Sequence, residues 1–229
     1  MKHTKSVWSS AFIFQEVKRM EFEKRFYTFE ASAEKRDDGT GKLVGHPIVY
    51  NSPTDIGGMF REVVMPGALD DADLKDVPLL VNHNDNMIPV ARSRRNNGNS
   101  TMRLIPDANG LGFEASLDIT RNATAAELYS AVERGDIDGM SFAFLIDKER
   151  WEGLDTDYPT RFIDKFSLIR EISAVTFPAY NTTDINARSK DALDNARASL
   201  ESERRQKAEA LESADIELAK AKYEFYSNL

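Results

Sequence analysis

The stretch Ile137-Asp138-Gly139-Met140-Ser141-Phe142-Ala143-Phe144-Leu145 decides which fold the sequence predicts. It is apolar and aromatic, and it comes directly after residues 123–134, whose apolar side chains recur with helical spacing. Thr120 or Asn122 suits the start of that helix as a cap, and Gly135 suits its end. These features predict a helix that is followed at once by a buried strand.

Short apolar or β-branched runs on both sides of this unit predict a strand-rich domain. The predicted upstream strands are residues 22–30, 43–50, 60–64, 77–81, 102–105 and 111–117. Downstream, a polar loop at residues 147–159 precedes two more predicted strands, residues 162–166 and 168–177. Residues 21–187 are therefore expected to form one α+β domain that is mainly β.

The C-terminal part of the chain has a different composition. Residues 189–227 contain no Gly and no Pro and are rich in Ala, Glu, Lys and Arg, which predicts a long helix. Its apolar heptad positions lose their phase at Lys207. Two interpretations remain open: a solvated helix that packs on its own domain, and a helix that self-associates or docks on a helical partner. The predicted division is a leader at 1–20, a domain at 21–187 and a helical tail at 188–229.

The composition narrows the possible chemistry. The 229 residues include no cysteine and three histidines, which excludes disulfides, a thiolate nucleophile, Cys-ligated zinc and iron–sulfur clusters. We expect no cofactor and no metal. The net charge of −8 argues against binding to nucleic acid, and no apolar run reaches the roughly 18 residues of a membrane span.

The first 20 residues are predicted to be a loose leader. Their apolar stretch is broken by Ser9 and Ser10, and no small-residue cleavage site follows it. We therefore expect a protein that is not secreted. Whether translation starts at Met1 or at Met20 is left open.

Three polar side chains in apolar surroundings are the candidate functional groups. His83 follows a buried strand at the mouth of a polar loop, Ser141 lies inside the decisive stretch, and Glu171 enters an apolar strand. A buried hydroxyl or carboxylate needs a hydrogen-bonding partner, and a His–Ser–acid set would satisfy all three groups. Spacing alone leaves other roles open: a structural His83, a Ser141 bonded to the backbone, or an exposed Glu171. Arg170 is expected on the opposite face of its strand from Glu171.

The other candidates are weaker. His46, in the middle of a predicted strand, is expected to be structural or on the surface, and His3 lies in the leader. The Gly-x-Ser-x-Gly motif of hydrolases fails at Ala143. A metal hydrolase centred on His83 and Asp85 is a further alternative, but the sequence offers neither a second suitable histidine nor a ligand spacing.

Five motifs, in order along the chain, resemble the prohead serine proteases of tailed bacteriophages. They are residues 45–51 (GHPIVYN), 60–69 (FREVVMPGAL), 79–83 (LLVNH), 139–144 (GMSFAF) and 171–180 (EISAVTFPAY). The resemblance covers about residues 21–187. It implies a closed or nearly closed antiparallel β-barrel with surrounding helices, related in fold to the herpesvirus assembly proteases.

The same resemblance implies roles for the three candidates: His83 as general base, Ser141 as nucleophile and Glu171 as the third member that orients the histidine. Three positions depart from the family pattern. Asn84 stands where the family commonly has Asp, with Asp85 beside it as a possible substitute; Ala143 replaces Gly; and Val90-Ala91 replaces an apolar-Gly pair. None of these changes removes a proposed catalytic atom.

The function that the resemblance implies is capsid maturation. The chain would be a serine endopeptidase that cleaves the scaffolding segment of the major capsid protein precursor, and itself, through an acyl-enzyme. It would act inside the immature procapsid in the bacterial host cytoplasm, with the capsid precursor and further copies of itself as partners, and without nucleic acid or membrane. The alternative is a catalytically inactive capsid-assembly or scaffolding protein on the same fold.

Overall fold

β-Strands make up most of the described chain before the first helix and between the first helix and the second. The computed structural model describes residues 22–28, 32–35, 39–176 and 183–227. Numbered in chain order, the strands are β1 (Glu23–Thr28), β2 (Ser32–Lys35), β3 (Gly41–Val49), β4 (Thr54–Ile56), β5 (Phe60–Val64), β6 (Pro78–Val81), β7 (Ala91–Arg92), β8 (Met102–Asp107), β9 (Gly110–Leu117), β10 (Gly139–Glu152) and β11 (Thr160–Val175). The helices are α1 (Ala123–Glu133) and α2 (Thr183–Ser227), and residues 94–96 form a short turn with left-handed backbone angles. The predicted leader lies outside the described residues.

The strands form two open sheets. In the larger sheet the order is β1-β10-β11-β5-β4, and β6 pairs with both β11 and β7; in the smaller it is β2-β3-β9-β8. Neither order closes on itself within the described ranges, so the predicted barrel is not confirmed. The larger sheet is also mixed, because β11 runs parallel to β5 at residues 160–163 and parallel to β6 at residues 172–174. The 16-residue β11 is long enough to pair with both strands in turn.

The predicted loop at residues 147–159 was wrong over its first half. β10 continues to Glu152, and the chain turns only at residues 153–159. The polar residues of this extension sit on a charged hairpin in which Arg150 bonds Glu152 and stacks 3.9 Å from the centre of the Phe162 ring. Pairing across the hairpin holds these residues in a strand, and Trp151, 4.9 Å from the Phe60 ring, is the apolar contact of the extension.

One core joins the two sheets and α1. Leu43 and Phe113 of the smaller sheet and Phe142 and Phe166 of the larger sheet belong to the same buried cluster. The prediction of α1 is confirmed: the side chain of Asn122 accepts the Ala125 N–H at 3.2 Å and so caps the first turn.

Among the α2 residues whose side chains the structure describes, those near its N-terminal end pack most closely on the domain. Leu193 is 6% exposed and contacts a small cluster that contains Ile56 and Phe60. Arg197 donates hydrogen bonds to the carbonyl oxygens of Leu154 and Thr156. The side chains of residues 201–214 are exposed. Burial against the domain therefore accounts for the helix around Leu193 and Arg197 and not for residues 201–214, where an exposed ion pair joins Arg204 to Asp155 at 3.8 Å.

Candidate active site

His83 and Glu171 are joined by a short hydrogen bond. His83 follows the end of β6, which pairs in parallel with β11 and places Leu80 opposite Ser173. The histidine therefore lies next to the C-terminal part of β11. Asn82 and His83 both have left-handed backbone angles, with φ of 51° and 56°, and this turn directs the imidazole back over the sheet. His83 Nδ1 lies 2.5 Å from Glu171 Oε1, and the two side chains are 14% and 7% exposed. The structure thus brings this histidine and this carboxylate into contact.

Ser173 forms hydrogen bonds with both members of this pair, and the sequence did not lead us to predict this role. Its hydroxyl donates to Glu171 Oε2 at 2.7 Å and accepts the backbone N–H of His83 at 3.2 Å. Asn82 fixes the same turn, since its side chain bonds the N–H and the hydroxyl of Thr176. Strand alternation was the available signal, because residues two apart on a strand share a face.

Ser141 lies beside this pair but makes no hydrogen bond to it. It is opposite Ser173 in the β10–β11 register, where facing Cα atoms are about 4.5–5.5 Å apart. The side chain is 1% exposed, and its hydroxyl donates to the carbonyl oxygen of Arg25 on β1 at 2.7 Å. His83 Nε2 is buried and has no hydrogen-bond partner. The structure thus leaves one imidazole nitrogen without a hydrogen-bond partner, and β11 lies between β6, which precedes His83, and β10, which carries Ser141.

A buried ion network holds the backbone that receives the Ser141 hydroxyl. The Arg25 guanidinium bonds both oxygens of the fully buried Glu62, at 2.5 and 2.8 Å, and Glu23 at 2.7 Å. Arg161 of β11, itself 2% exposed, bonds Glu23, Glu62 and Glu149. Burial by itself would raise the pKa of the Glu23 carboxyl, but the two arginines outweigh burial and lower that pKa to about 2. This network ties β1 to β5, β10 and β11.

A cleft of about 450 Å³ opens beside the His83–Glu171 pair. Its lining includes Ala143, Lys24 and Arg170. The expectation that Arg170 faces away from Glu171 was wrong, since both residues line this cleft. The cause is a β-bulge: Ala143 pairs with Glu171, but the next pair is Phe144 with Ile169, so Arg170 is an extra residue. Bulges redirect side chains in this way.

The remaining predicted positions have modest roles. Asn84 itself supplies the loop hydrogen bond, accepting the N–H of Asn86 at 3.2 Å, while Asp85 lines the cleft. His46 is 47% exposed and lies 3.4 Å from Asp107, as suits a surface residue. Over the described ranges, no group of three or more His, Asp or Glu is placed to hold a metal ion. None of the described helices is long and apolar enough to cross a membrane.

A carboxylate-bound histidine next to a buried serine is the set of groups that serine hydrolases use for acyl transfer. Comparison with known proteins identifies the family: the model for caudovirus prohead serine proteases matches residues 28–197, and the chain belongs to that family. The prohead protease of Enterobacteria phage HK97 is 28% identical over 165 residues, which are 70% of this chain and 66% of the relative. The chain thus spans just under two thirds of that relative's length. No solved structure matches the chain.

Proposed function

We propose that the protein is a serine endopeptidase of capsid maturation, with Ser141 as nucleophile, His83 as general base and Glu171 as the residue that orients His83. The observation that carries this proposal is the 2.5 Å contact from His83 Nδ1 to Glu171 Oε1, which leaves the other ring nitrogen, the buried Nε2, without a hydrogen-bond partner. A carboxylate on Nδ1 selects the tautomer whose Nε2 accepts a proton. That is the tautomer a general base requires.

The proposed reaction starts with a rotation of the Ser141 side chain. Its hydroxyl leaves the Arg25 carbonyl oxygen and turns toward Nε2 of His83, exchanging one hydrogen bond of about 1 kcal/mol for another. Ser141 Oγ then attacks the peptide carbonyl while His83 takes its proton. His83 returns the proton to the leaving amine, and water hydrolyses the acyl-enzyme by the reverse steps. Glu171 stabilises the imidazolium that forms in each half-reaction.

The proposed substrates are the scaffolding segment of the major capsid protein precursor and the chain itself, inside the procapsid in the host cytoplasm. Family membership and the name of the HK97 relative support this setting. The exposed part of α2 supports a helical partner or a second copy of the chain, because Leu211, Ile216 and Leu218 are each about half exposed or more. The second candidate, an inactive assembly protein, is supported by the Ser141 hydroxyl bonding Arg25 and not His83.

Co-expression with the cognate capsid precursor separates these two functions. The wild-type chain should shorten the precursor, and Ser141→Ala should not. Ser116→Ala is a matched control, because it removes a serine hydroxyl from β9 of the smaller sheet. This variant should cleave the precursor as the wild type does. Absence of cleavage by the wild type would favour the assembly protein, and cleavage by Ser141→Ala would remove Ser141 from the mechanism.

The role of α2 is tested by shortening the helix. Removing residues 201–229 retains Leu193 and Arg197, which pack on the domain. We expect this variant to hydrolyse peptides normally but to be packaged into proheads less well. Unchanged packaging would contradict a docking role for the exposed part of α2.

A further inference from the structure

Two cationic side chains in the cleft have no carboxylate partner among the residues that the structure describes. Lys24 of β1 and Arg170 of β11 both line it, and neither forms an ion pair with any residue that the structure describes. The Arg170 guanidinium lies 5.8 Å from the centre of the Phe22 ring, a contact that favours its place on the wall of the cleft.

The other charges of the cleft are largely compensated. Arg92 forms two hydrogen bonds with Asp76, at 2.7 and 2.9 Å, and Glu171 is bonded to His83. Asp85 is then the one remaining acidic side chain on the described lining, against the two unpaired cations. A positive excess in this cleft stands out on a chain whose net charge is −8.

The register shows how these cations would meet a peptide. Lys24 lies opposite Ala143, and Ala143 lies opposite Glu171, so the three form one row across the sheet. Two strand spacings separate the ends of this row by about 10 Å, the length of roughly three residues of extended chain. The bulge places Arg170 at the Glu171 end. Both cations are therefore within reach of side chains close to a peptide bond held at Ser141.

We propose that this cleft selects peptide segments with Asp or Glu within about three residues of the scissile bond, and that Lys24 and Arg170 determine this specificity. The inference rests on the proposed protease function. Each contact is a partly solvated charge pair, so the preference for an acidic residue over its amide should be about threefold to tenfold in kcat/KM. Because solvent-exposed charges are screened, the preference should weaken as salt is added.

Cleavage of a random peptide mixture tests the proposal without knowledge of the natural substrate. The cleaved bonds, mapped by mass spectrometry, should be enriched in Asp and Glu near the scissile bond for the wild-type chain. Arg170→Glu should shift the enrichment toward Lys and Arg, and Lys24→Gln should reduce it. Lys148→Glu, a charge reversal at an exposed β10 position outside the cleft, is the control and should keep the wild-type profile. An Arg170→Glu profile identical to that of the wild type would overturn the proposal.

A peptide-binding experiment tests this inference separately from the proposed catalytic reaction. Ser141→Ala is titrated with a labelled Ala-Ser-rich peptide that carries Glu residues and with its twin that carries Gln. Tighter binding of the Glu peptide, lost when Arg170→Glu is added, supports the inference whether or not the chain hydrolyses peptides. Equal binding of the two peptides overturns it. Hydrolysis by the wild type without any charge preference would leave the proposed function intact and remove the inference alone.

Discussion

Glu171→Gln is the substitution that most directly probes how the His83–Glu171 pair works. The amide keeps the shape of the side chain and removes its charge. At an effective dielectric constant of about 20, opposite unit charges 2.5 Å apart attract by about 6–7 kcal/mol. Part of this attraction offsets the desolvation of a carboxylate that is only 7% exposed, which leaves about 3–5 kcal/mol for stabilising the imidazolium. The rate of serine acylation should therefore fall roughly 10²- to 10⁴-fold.

A serine-directed phosphonate probe measures this rate without a known substrate. The second-order rate constant for labelling is compared between wild type and Glu171→Gln at neutral pH. Asp164→Asn, an equivalent carboxylate-to-amide change on the same strand, is the control and should stay within about twofold of the wild type. A Glu171→Gln rate equal to that of the wild type would refute the argument that the carboxylate acts through His83.

The remaining predictions concern the buried ion network. Glu62→Gln leaves Arg25 short of its main carboxylate in a fully buried position, so the free energy of unfolding should fall by about 3–5 kcal/mol in urea denaturation. Glu23 has its pKa lowered from 4.5 to about 2 in the folded chain, so its ion pairs contribute stability above pH 4.5 that is lost as the pH falls toward 2. The stability difference between wild type and Glu23→Gln should accordingly be constant near neutral pH and shrink in acid, as followed by urea unfolding at several pH values.

Two outcomes would contradict this account of the network. A Glu62→Gln variant as stable as the wild type would show that the buried arginine is satisfied without its carboxylate. A stability difference for Glu23→Gln that stays constant down to pH 2 would show that the Glu23 carboxyl is not held ionised in the folded protein.

Local features of the sequence predicted β5 and α1 well. They predicted two strands at residues 162–166 and 168–177 where the structure has the single strand β11, and they did not predict β2, β4 or β7. The β5 strand was predicted at residues 60–64, as found, and α1 at 123–134 differs from the structure by one residue at its end. Both segments have regularly spaced apolar residues and are bounded by turn-forming or helix-capping residues. These signals depend only on neighbouring residues. The pairing of His83 with Glu171 was a possibility in the sequence, because two buried polar groups need partners, but spacing did not show that they meet.

Long-range pairing explains what the sequence could not predict. The charged composition of residues 147–152 predicts a loop, but pairing with β11 holds them in a strand. Arg170 changes face because β11 has one extra residue at that position. Arg25 and Glu62 are 37 residues apart, and nothing in either neighbourhood signals that they meet. Sheet closure likewise depends on which strands occupy the two edges, and no single segment encodes that.

Covalent labelling of Ser141 tests the central claim most directly. The full chain is treated with the phosphonate probe, and the adduct is located by intact mass and peptide mapping. The proposed mechanism predicts a single adduct on Ser141, absent in Ser141→Ala and formed much more slowly in His83→Ala. Labelling of Ser141→Ala to the same extent as the wild type, or an adduct on another residue, would contradict it.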